Sequence, residues 1–182
     1  MSPALRCYIE EAPFSKRILG ARETLLMPGM EVKDIYFFYT GSCKLFWRDN
    51  DYNEMIFAFW LAGEMLLLAE EFFAGVRNDE VCVEALEPSE VYCINREQVQ
   101  YMQEHYPESI QMIEGLRAKT AARRQLHTRI IMEREGLRYG LYCSGFPELL
   151  QKNLSNRNIM RFLRISKSTL AAGKAEWLRR KI

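Results

Sequence analysis

Histidine is scarce in this 182-residue chain and closely spaced cysteine pairs are missing, which speaks against the common metal sites. The two histidines, His105 and His127, lie outside the strand-rich N-terminal part, so a histidine-based metalloenzyme built on that part is not expected. The five cysteines are odd in number and form no Cys-x-x-Cys pair. This usage is typical of buried thiols in a reducing compartment. We therefore expect a cytoplasmic protein without a metal site.

Long apolar segments are also missing. The longest apolar stretch, MIFAFWLAGEMLLLA, is interrupted by Gly63 and Glu64 and is shorter than the ~20 residues that a membrane-spanning helix needs. The N-terminus has no basic region followed by an apolar run, which is the pattern of a signal peptide. The sequence therefore predicts no membrane partner.

The net charge of +1 conceals two halves of opposite sign. Residues 1–106 carry 9 basic and 18 acidic side chains, whereas residues 107–182 carry 16 basic and 6 acidic ones. The second half therefore has a net charge of +10 (16 − 6) and can attract a polyanion, while the first half, at −9 (9 − 18), cannot.

The N-terminal half reads as short strands between turn residues, from about residue 15 to 95. Ile35, Phe37 and Tyr39 alternate with more polar neighbours, as they do in a half-buried strand. Many short strands at near-regular spacing predict a sandwich or roll. Five aromatic side chains are expected to fill its core, with the lining of a ligand pocket as the alternative, namely Phe57, Phe59, Trp60, Phe72 and Phe73.

Two short helices are expected to accompany the strands, one over residues 4–12 and one over LLLAEEFFAG that ends at Gly75. From residue 96 onward the pattern becomes helical. One helix is predicted from Arg96 to His105, and a longer one from Glu108 to about Glu135, which contains no proline.

The longer helix, of ~27 residues, would be about 40 Å long. A chain of this size does not easily surround such a helix with its own core, so we expect it to pack against the same helix of a second copy, as a homodimer. The alternative is that the helix lies alone against its own roll. The expected dimer seam follows a 3-4 spacing through Ile113, Leu116, Thr120, Arg123, His127 and Ile130.

The C-terminal segment predicts a small group of helices. A helix should break at Ser144-Gly145, and Ser155 can cap the next helix, NRNIMRFLRI, because its hydroxyl can bond the free amides of the first turn. A short turn and a cap at Ser166 or Ser168 then lead into the last helix. Two short helices joined by a three- or four-residue turn are typical of a helix-turn-helix motif.

Read in order, these blocks resemble the Crp/Fnr family of bacterial transcription regulators. The roll carries the resemblance best, in TLLMPGMEVKDIYFFYTGSCKLFWRD, FWLAGEM and VCVEALEPSEVYCINREQVQYM, and the tail LRYGLYCSGFPELLQKNLSNRNIMRFLRISKSTL adds to it. The resemblance covers about residues 14–176. It implies an α+β fold with a jelly-roll-like double-stranded β-roll sensor domain over residues 1–106, a long dimerisation helix over 107–135 and a helix-turn-helix DNA-binding domain over 136–182.

In the family, a Gly-Glu pair opens the cyclic-nucleotide cassette, and the matching pair here is Gly63-Glu64. The resemblance implies that the glutamate accepts hydrogen bonds from a ribose and that a short helix points its amides at the cyclic phosphate. Asp79, next to Glu80, stands where the family has its phosphate-binding arginine, and Arg77 lies two residues earlier. Because carboxylates repel a phosphate, cyclic AMP or GMP is disfavoured, and another small effector or an empty roll is expected.

The DNA-recognition positions also depart from the family pattern. Arg164 stands where a turn glycine is expected, and Ala171 and Ala172 replace the polar pair that would meet a phosphate and a base edge. Either Arg164 adopts a left-handed conformation, which costs about 1 kcal/mol or more, or the turn differs from that of the family. The apolar anchors of the two helices fit the family, and they are Ile159, Leu163, Ile165 and Leu170.

The tail nevertheless has the charge of a DNA-binding surface. Residues 136–182 hold 10 basic and 2 acidic side chains, a net of +8. Phosphate contacts supply most nonspecific affinity and position a protein without reading sequence. The basic side chains available for phosphates are Arg157, Arg161, Arg164, Lys167, Lys174, Arg179, Arg180 and Lys181. Base recognition would then depend on Lys167, Ser168 and Lys174.

Two hypotheses for function follow, and a third is set aside. The first is a dimeric transcription regulator that senses a small effector in the roll and binds DNA through the tail. The alternative is an effector-binding or protein-interaction module that has lost sequence-specific DNA binding, as Ala171 and Ala172 would allow. An enzyme is not expected, because the roll lacks the clustered histidines of metal cupins and shows no nucleophile–base pair.

Overall fold

The computed structural model describes residues 2–152 and 154–179, and its fold is α+β, as the sequence predicts. The strands of this part of the chain are β1 (Ser15–Leu19), β2 (Thr24–Leu26), β3 (Asp34–Thr40), β4 (Ser42–Arg48), β5 (Glu54–Leu61), β6 (Met65–Leu66), β7 (Cys82–Ala85) and β8 (Ser89–Asn95). The helices are α1 (Pro3–Glu11), α2 (Ala69–Ala74), α3 (Arg96–His105), α4 (Glu108–Met132), α5 (Glu135–Gly145), α6 (Pro147–Gln151), α7 (Asn156–Leu163) and α8 (Lys167–Arg179). Among these helices, none is long and apolar enough to cross a membrane.

The strands form the predicted roll from two four-stranded sheets. One sheet has the order β1-β8-β3-β6 and the other has the order β2-β7-β4-β5. β8 pairs antiparallel with both β1 and β3, in a register that places Cys93 opposite Ser15 on one side and Tyr36 on the other. Because strands that follow one another along the chain often lie in different sheets, the chain passes repeatedly between the two layers, which is typical of a roll.

β3 buries a different set of side chains from the one that simple alternation predicts. Tyr36 and Phe38 are buried, whereas Phe37 is half-buried and Tyr39 is 58% exposed. The pairing of β3 with β8 is irregular between Phe38 and Thr40, where the register shifts. The segment is apolar on both faces, so a period of two does not indicate which face lies inside.

The core of the roll contains most of the aromatic side chains that the sequence places there. Those that are buried are Phe57, Phe59, Trp60 and Phe72. Phe73 is 42% exposed, because it follows Phe72 on α2 and adjacent helical residues point in different directions. Four of the cysteines are buried as well, and Cys7 is exposed.

The helix boundaries lie within about three residues of the predicted ones, and two of the differences have a clear local cause. α3 begins at a capping box, in which Asn95 and Gln98 bond each other's backbone amides. α4 ends at Met132 rather than near residue 135, because Arg134 leaves the helical conformation. The break predicted at Ser144-Gly145 occurs instead at Phe146, the residue before Pro147, where the helical conformation is disfavoured.

The described chain divides into two compact units. The first unit contains residues 2–45 and 59–121, and the second contains residues 46–58, 122–152 and 154–179. The end of β4, the start of β5 and the loop between them therefore belong to the same unit as the C-terminal helices. We call residues 46–58 the hairpin tip.

We predict that Gly41→Ala lowers the free energy of unfolding by about 3 kcal/mol, because it adds a backbone clash to backbone strain. Gly41 has a φ of +82°, and a Cβ there would lie 2.8 Å from the Cα of Ser89. Gly29 has a φ of +86° with nothing within 4 Å of the same position, so Gly29→Ala should cost about 1 kcal/mol. Urea denaturation of both variants measures the difference, and equal losses would contradict this account of the turn.

Candidate functional site

The Gly63-Glu64 pair lies in the turn between β5 and β6. Gly63 has a φ of +82° and donates its amide to the carbonyl of Phe38 at 2.7 Å. Glu64 accepts a hydrogen bond from the amide of Leu61 at 3.0 Å on Oε2, and Oε1 lies 2.9 Å from Nζ of Lys119 on α4. Both carboxylate oxygens therefore have partners within the first unit, and a ribose would have to displace Lys119.

The segment that would face a cyclic phosphate is acidic. The first turn of α2 carries Glu70 and Glu71, which already complement the partial positive charge of its amides. Asp79 and Glu80 are exposed in the loop that follows α2. An added phosphate would meet like charge in both segments, which disfavours a cyclic nucleotide here.

Arg77, the arginine nearest to the expected phosphate-binding position, contacts a neighbouring turn in this structure. Its guanidinium donates a hydrogen bond to the carbonyl of Gly29 at 3.3 Å and is exposed. The loop around it is closed by Asn78, which is fully buried, donates to the carbonyl of Val81 at 2.6 Å and accepts from its amide at 2.9 Å. Asn78 therefore holds the loop in its conformation, while Arg77 forms a hydrogen bond to the turn that contains Gly29.

In the second unit, α7 and α8 form two short helices joined by a tight turn. Ser155 caps α7 by accepting a hydrogen bond from the amide of Asn158 at 3.2 Å, and Ser166 accepts from the amide of Thr169 at 3.1 Å at the start of α8. Arg164 adopts the left-handed conformation, with φ 52° and ψ 53°. The two helices and their caps match the helix-turn-helix pattern that the sequence predicts, and Arg164 takes the left-handed one of the two alternatives that the sequence leaves open.

The anchors expected between the two helices are buried, with Ile159 7%, Leu163 0%, Ile165 8% and Leu170 2% exposed. Gly173 permits a further close contact, because a Cβ there would lie 2.7 Å from the Cβ of Tyr139 on α5. Helix α8 therefore packs closely on α5 through a position that only glycine fits.

Sequence reasoning did not identify Arg138, which holds the end of α7 in place. Its Nη1 donates to the carbonyls of Leu163 at 3.1 Å and Arg164 at 2.8 Å, and its Nε donates to the carbonyl of Glu133 at 2.9 Å. Carbonyls at a helix end lack partners within the helix, so a cation there stabilises the end. No sequence signal separates this arginine from the other basic residues of the tail.

The structure places the proposed DNA contacts in two groups. Arg157 and Lys167 are exposed and form no ion pair among the described residues, and Ser168 is exposed and shares a hydrogen bond with Ser166. The others have contacts within the second unit: Lys174 donates to Asn156 at 2.7 Å, Arg161 pairs with Glu54, and the Arg164 guanidinium lies over the Trp47 ring. Arg179 is exposed, and Arg180 and Lys181 lie outside the described residues.

The α4 seam contacts its own chain at several positions. Ile113, His127 and Ile130 are buried, while Leu116, Thr120 and Arg123 are half-buried. Nη2 of Arg123 lies 3.2 Å from Oε1 of Glu148. The exposed residues of α4 include the small side chains Ala118, Ala121 and Ala122, the longer Gln125 and Met132, and the charged Arg117, Arg124 and Arg129.

His127 is part of the core of the second unit. Its ring stacks on Phe162 with the ring centres 4.3 Å apart, and its Nε2 donates to the Phe162 carbonyl at 2.7 Å. The pKa of His127 is lowered, chiefly because burial disfavours the charged ring. The bond to the Phe162 carbonyl raises the pKa in part, and the positive charge of Arg164 lowers it. The folded unit therefore holds this histidine neutral.

We predict that the stability of the second unit falls on acidification from pH 7.5 to 5.5. The unfolded chain, with a histidine pKa of about 6.5, binds a proton that the folded chain rejects, so the loss approaches about 1.4 kcal/mol per pH unit below that value. Urea denaturation across this range should show that His127→Gln removes the loss, whereas His105→Gln, at an exposed site, keeps it. The same acid loss in both variants would contradict the role of His127.

Comparison with known proteins places the roll in a family. The family model of the cyclic nucleotide-binding domain matches residues 16–106, which is half of the chain. A search of curated proteins finds no match to this sequence.

Solved structures share the fold across nearly the whole chain. A cyclic nucleotide-binding domain containing protein from Listeria monocytogenes is 16% identical with a TM-score of 0.76, covering 97% of this chain and 90% of that one. FixK2 from Bradyrhizobium japonicum is 13% identical with a TM-score of 0.75, covering 93% and 86%. A Eubacterium rectale protein described as a transcriptional regulator of the Crp/Fnr family is 11% identical with a TM-score of 0.71, covering 99% and 85%. The chain thus belongs to the cyclic nucleotide-binding domain family, and its fold is that of the Crp/Fnr transcription regulators.

Proposed function

We propose that the protein is a dimeric transcription regulator that binds DNA through α7 and α8 and senses a small effector in its β-roll. The observation that carries the proposal is the helix-turn-helix geometry at Arg164 within a tail of net charge +8. The proposed domains are a sensor over residues 1–106, a dimerisation helix over 107–135 and a DNA-binding domain over 136–182. The Eubacterium rectale neighbour is described as a transcriptional regulator, and no catalytic role is proposed for this chain.

The exposed side chains at the start of α8 favour affinity for phosphates over reading of bases. Lys167 and Ser168 provide donors there, whereas Ala171 and Ala172, one turn later, are exposed and offer none. An arginine bidentate to guanine supplies ~1–3 kcal/mol of discrimination, which an alanine cannot. We therefore expect strong salt dependence and modest sequence preference, with base contacts concentrated at Lys167 and Ser168.

The effector that we propose is not a cyclic nucleotide but a molecule with hydrogen-bond donors or a positive charge. Glu64 is the carboxylate of the Gly63-Glu64 pair that a ligand would bind, and the ammonium group of Lys119 already neutralises its charge. A ligand that binds Glu64 must replace Lys119, and Lys119 lies on α4, which continues into the second unit. Binding at Glu64 would therefore change the contacts of the helix that connects the sensor to the DNA-binding segment.

Dimerisation is proposed along the exposed face of α4. Ala118 and Ala122 allow two helices to approach closely, and Met132, which is 81% exposed, would gain cover at one end. Ile113, His127 and Ile130, from the seam expected from the sequence, are already covered by their own chain in this conformation.

The second candidate function is an interaction module that has lost sequence-specific DNA binding. The exposed alanines at 171 and 172 favour it, because they remove the donors that a recognition helix uses. The two candidates differ in one measurable property: only the regulator should enrich a shared DNA sequence at near-physiological salt.

We predict that the double variant Arg157→Gln/Lys167→Gln weakens binding to DNA at least tenfold at low salt. Each lost phosphate contact should also reduce the slope of log affinity against log salt by about 0.9. Fluorescence anisotropy with a labelled duplex measures both quantities. The matched control is Arg6→Gln/Lys33→Gln, which removes the same charge from exposed sites in the first unit. Equal weakening in the two double variants would show that net charge alone drives binding, and no binding by the unmodified protein would overturn the proposal.

We predict that Ala118→Glu converts a dimer to a monomer. In a symmetric dimer, the new carboxylate of each copy would be buried in the interface, and the free energy needed to remove both charges from water would oppose association. Sedimentation velocity measures the assembly state. Ala171→Glu is the matched control, since it is the same change at an exposed helical position of α8. A monomeric unmodified protein, or an Ala118→Glu variant that stays dimeric, would contradict the proposed seam.

A further inference from the structure

The hairpin tip lies against the arginine-bearing side of α7 and the turn that follows it. Arg161 forms an ion pair with Glu54, and their side chains are only 23% and 18% exposed. The Arg164 guanidinium carbon lies 5.9 Å from the centre of the Trp47 ring. Two of the side chains proposed to contact DNA therefore have partners on the hairpin tip, within the same unit.

Further contacts fix the hairpin tip in this position. The rings of Trp47 and Phe57 stack with their centres 5.0 Å apart, and the guanidinium carbon of Arg124, on α4, lies 5.6 Å from the centre of the Phe57 ring. The hairpin tip thus contacts three arginines of the second unit. The Glu54 carboxylate pairs with Arg161, and the rings of Trp47 and Phe57 lie under the guanidinium groups of Arg164 and Arg124. Each arginine has a partner of the kind that favours a guanidinium.

These partners resemble, in chemistry, what a nucleic acid offers to an arginine. A phosphate, like a carboxylate, accepts the paired N–H donors of a guanidinium, and a base, like an aromatic ring, stacks on its planar face. One guanidinium cannot direct the same donors to a carboxylate and a phosphate at once. The Arg161 side chain is also only 23% exposed while Glu54 is in place, which limits the contact that a DNA backbone can make with it.

We infer that the hairpin tip is an autoinhibitory surface that occupies Arg161 and Arg164 in place of DNA. The inference rests on the proposed DNA-binding function and concerns its regulation. DNA and the hairpin tip compete for the two arginines, so DNA binds only the fraction of molecules in which Glu54 and Trp47 have released them. The apparent affinity for DNA is reduced by that fraction.

The test compares Glu54→Gln with Asp51→Asn in the full chain. Both variants remove one negative charge from the hairpin tip, but Asp51 is exposed and its carboxylate pairs with no basic side chain among the described residues. Glu54→Gln weakens the hold on Arg161, so it should bind a labelled duplex about tenfold more tightly than Asp51→Asn at the same low salt. In the DNA-free protein, hydrogen exchange of residues 156–165 should rise in Glu54→Gln and stay unchanged in Asp51→Asn.

A double-mutant cycle separates competition from a general loosening of the unit. In an Arg161→Gln background, Glu54→Gln should give no gain over Asp51→Asn, because the arginine that it releases is gone. A tenfold gain that persists in this background would overturn the inference. Thermal unfolding of each variant confirms that the compared proteins are folded.

The outcomes distinguish this inference from the function on which it rests. Equal affinities of Glu54→Gln and Asp51→Asn, with both binding DNA, would overturn the inference and leave DNA binding intact. Binding by both variants, about tenfold tighter for Glu54→Gln than for Asp51→Asn, would support both. Failure of every variant to bind at low salt would overturn the proposed function and the inference with it.

Discussion

The packing of one ring, Phe162, determines where the basic side chains of α7 lie. The ring is 1% exposed, stacks on His127 and makes edge contacts with Phe146 at 5.5 Å and Tyr142 at 6.0 Å. Burying a phenylalanine side chain contributes roughly 1.5–3 kcal/mol, and each well-placed aromatic pair adds about 0.5–1.5 kcal/mol. α7 has only 8 residues and would not be stable alone, so this cluster holds it in the unit.

The strained turn after α7 depends on the same region. Arg164 is held in the left-handed conformation while Arg138 bonds its carbonyl at 2.8 Å and that of Leu163 at 3.1 Å. These charge-assisted bonds stabilise a conformation that a glycine would adopt without strain. The arginine at this position can reach Trp47 as well, which a glycine could not. The departure from the glycine turn thus gives the chain a contact that connects its turn to the hairpin tip.

Local signals in the sequence predicted local structure well. The caps at Ser155 and Ser166 and the helix end at Gly75 each follow from the chemistry of one residue and its immediate neighbours, whereas the sequence left two conformations open for Arg164. The buried face of β3 could not be predicted in the same way, because both of its faces are apolar and the register irregularity near Phe38 depends on pairing with β8.

Long-range pairs could not be predicted. Glu54 and Arg161 are 107 residues apart, and Glu64 and Lys119 are 55 apart, so only the tertiary fold brings them together. The 3-4 spacing in α4 did identify one face of that helix, which includes Ile113 and Ile130. A periodic pattern indicates that a face is buried, but it does not say whether the same chain or a second copy covers it.

The most direct test of the account is selection of genomic DNA fragments by the purified protein, with sequencing of the retained fragments at low and near-physiological salt. A dimeric regulator should retain fragments at low salt and, at the higher salt, enrich those that share an inverted repeat, since a two-fold symmetric dimer reads two half-sites. Failure to retain DNA at low salt, where phosphate attraction is least screened, would contradict the account.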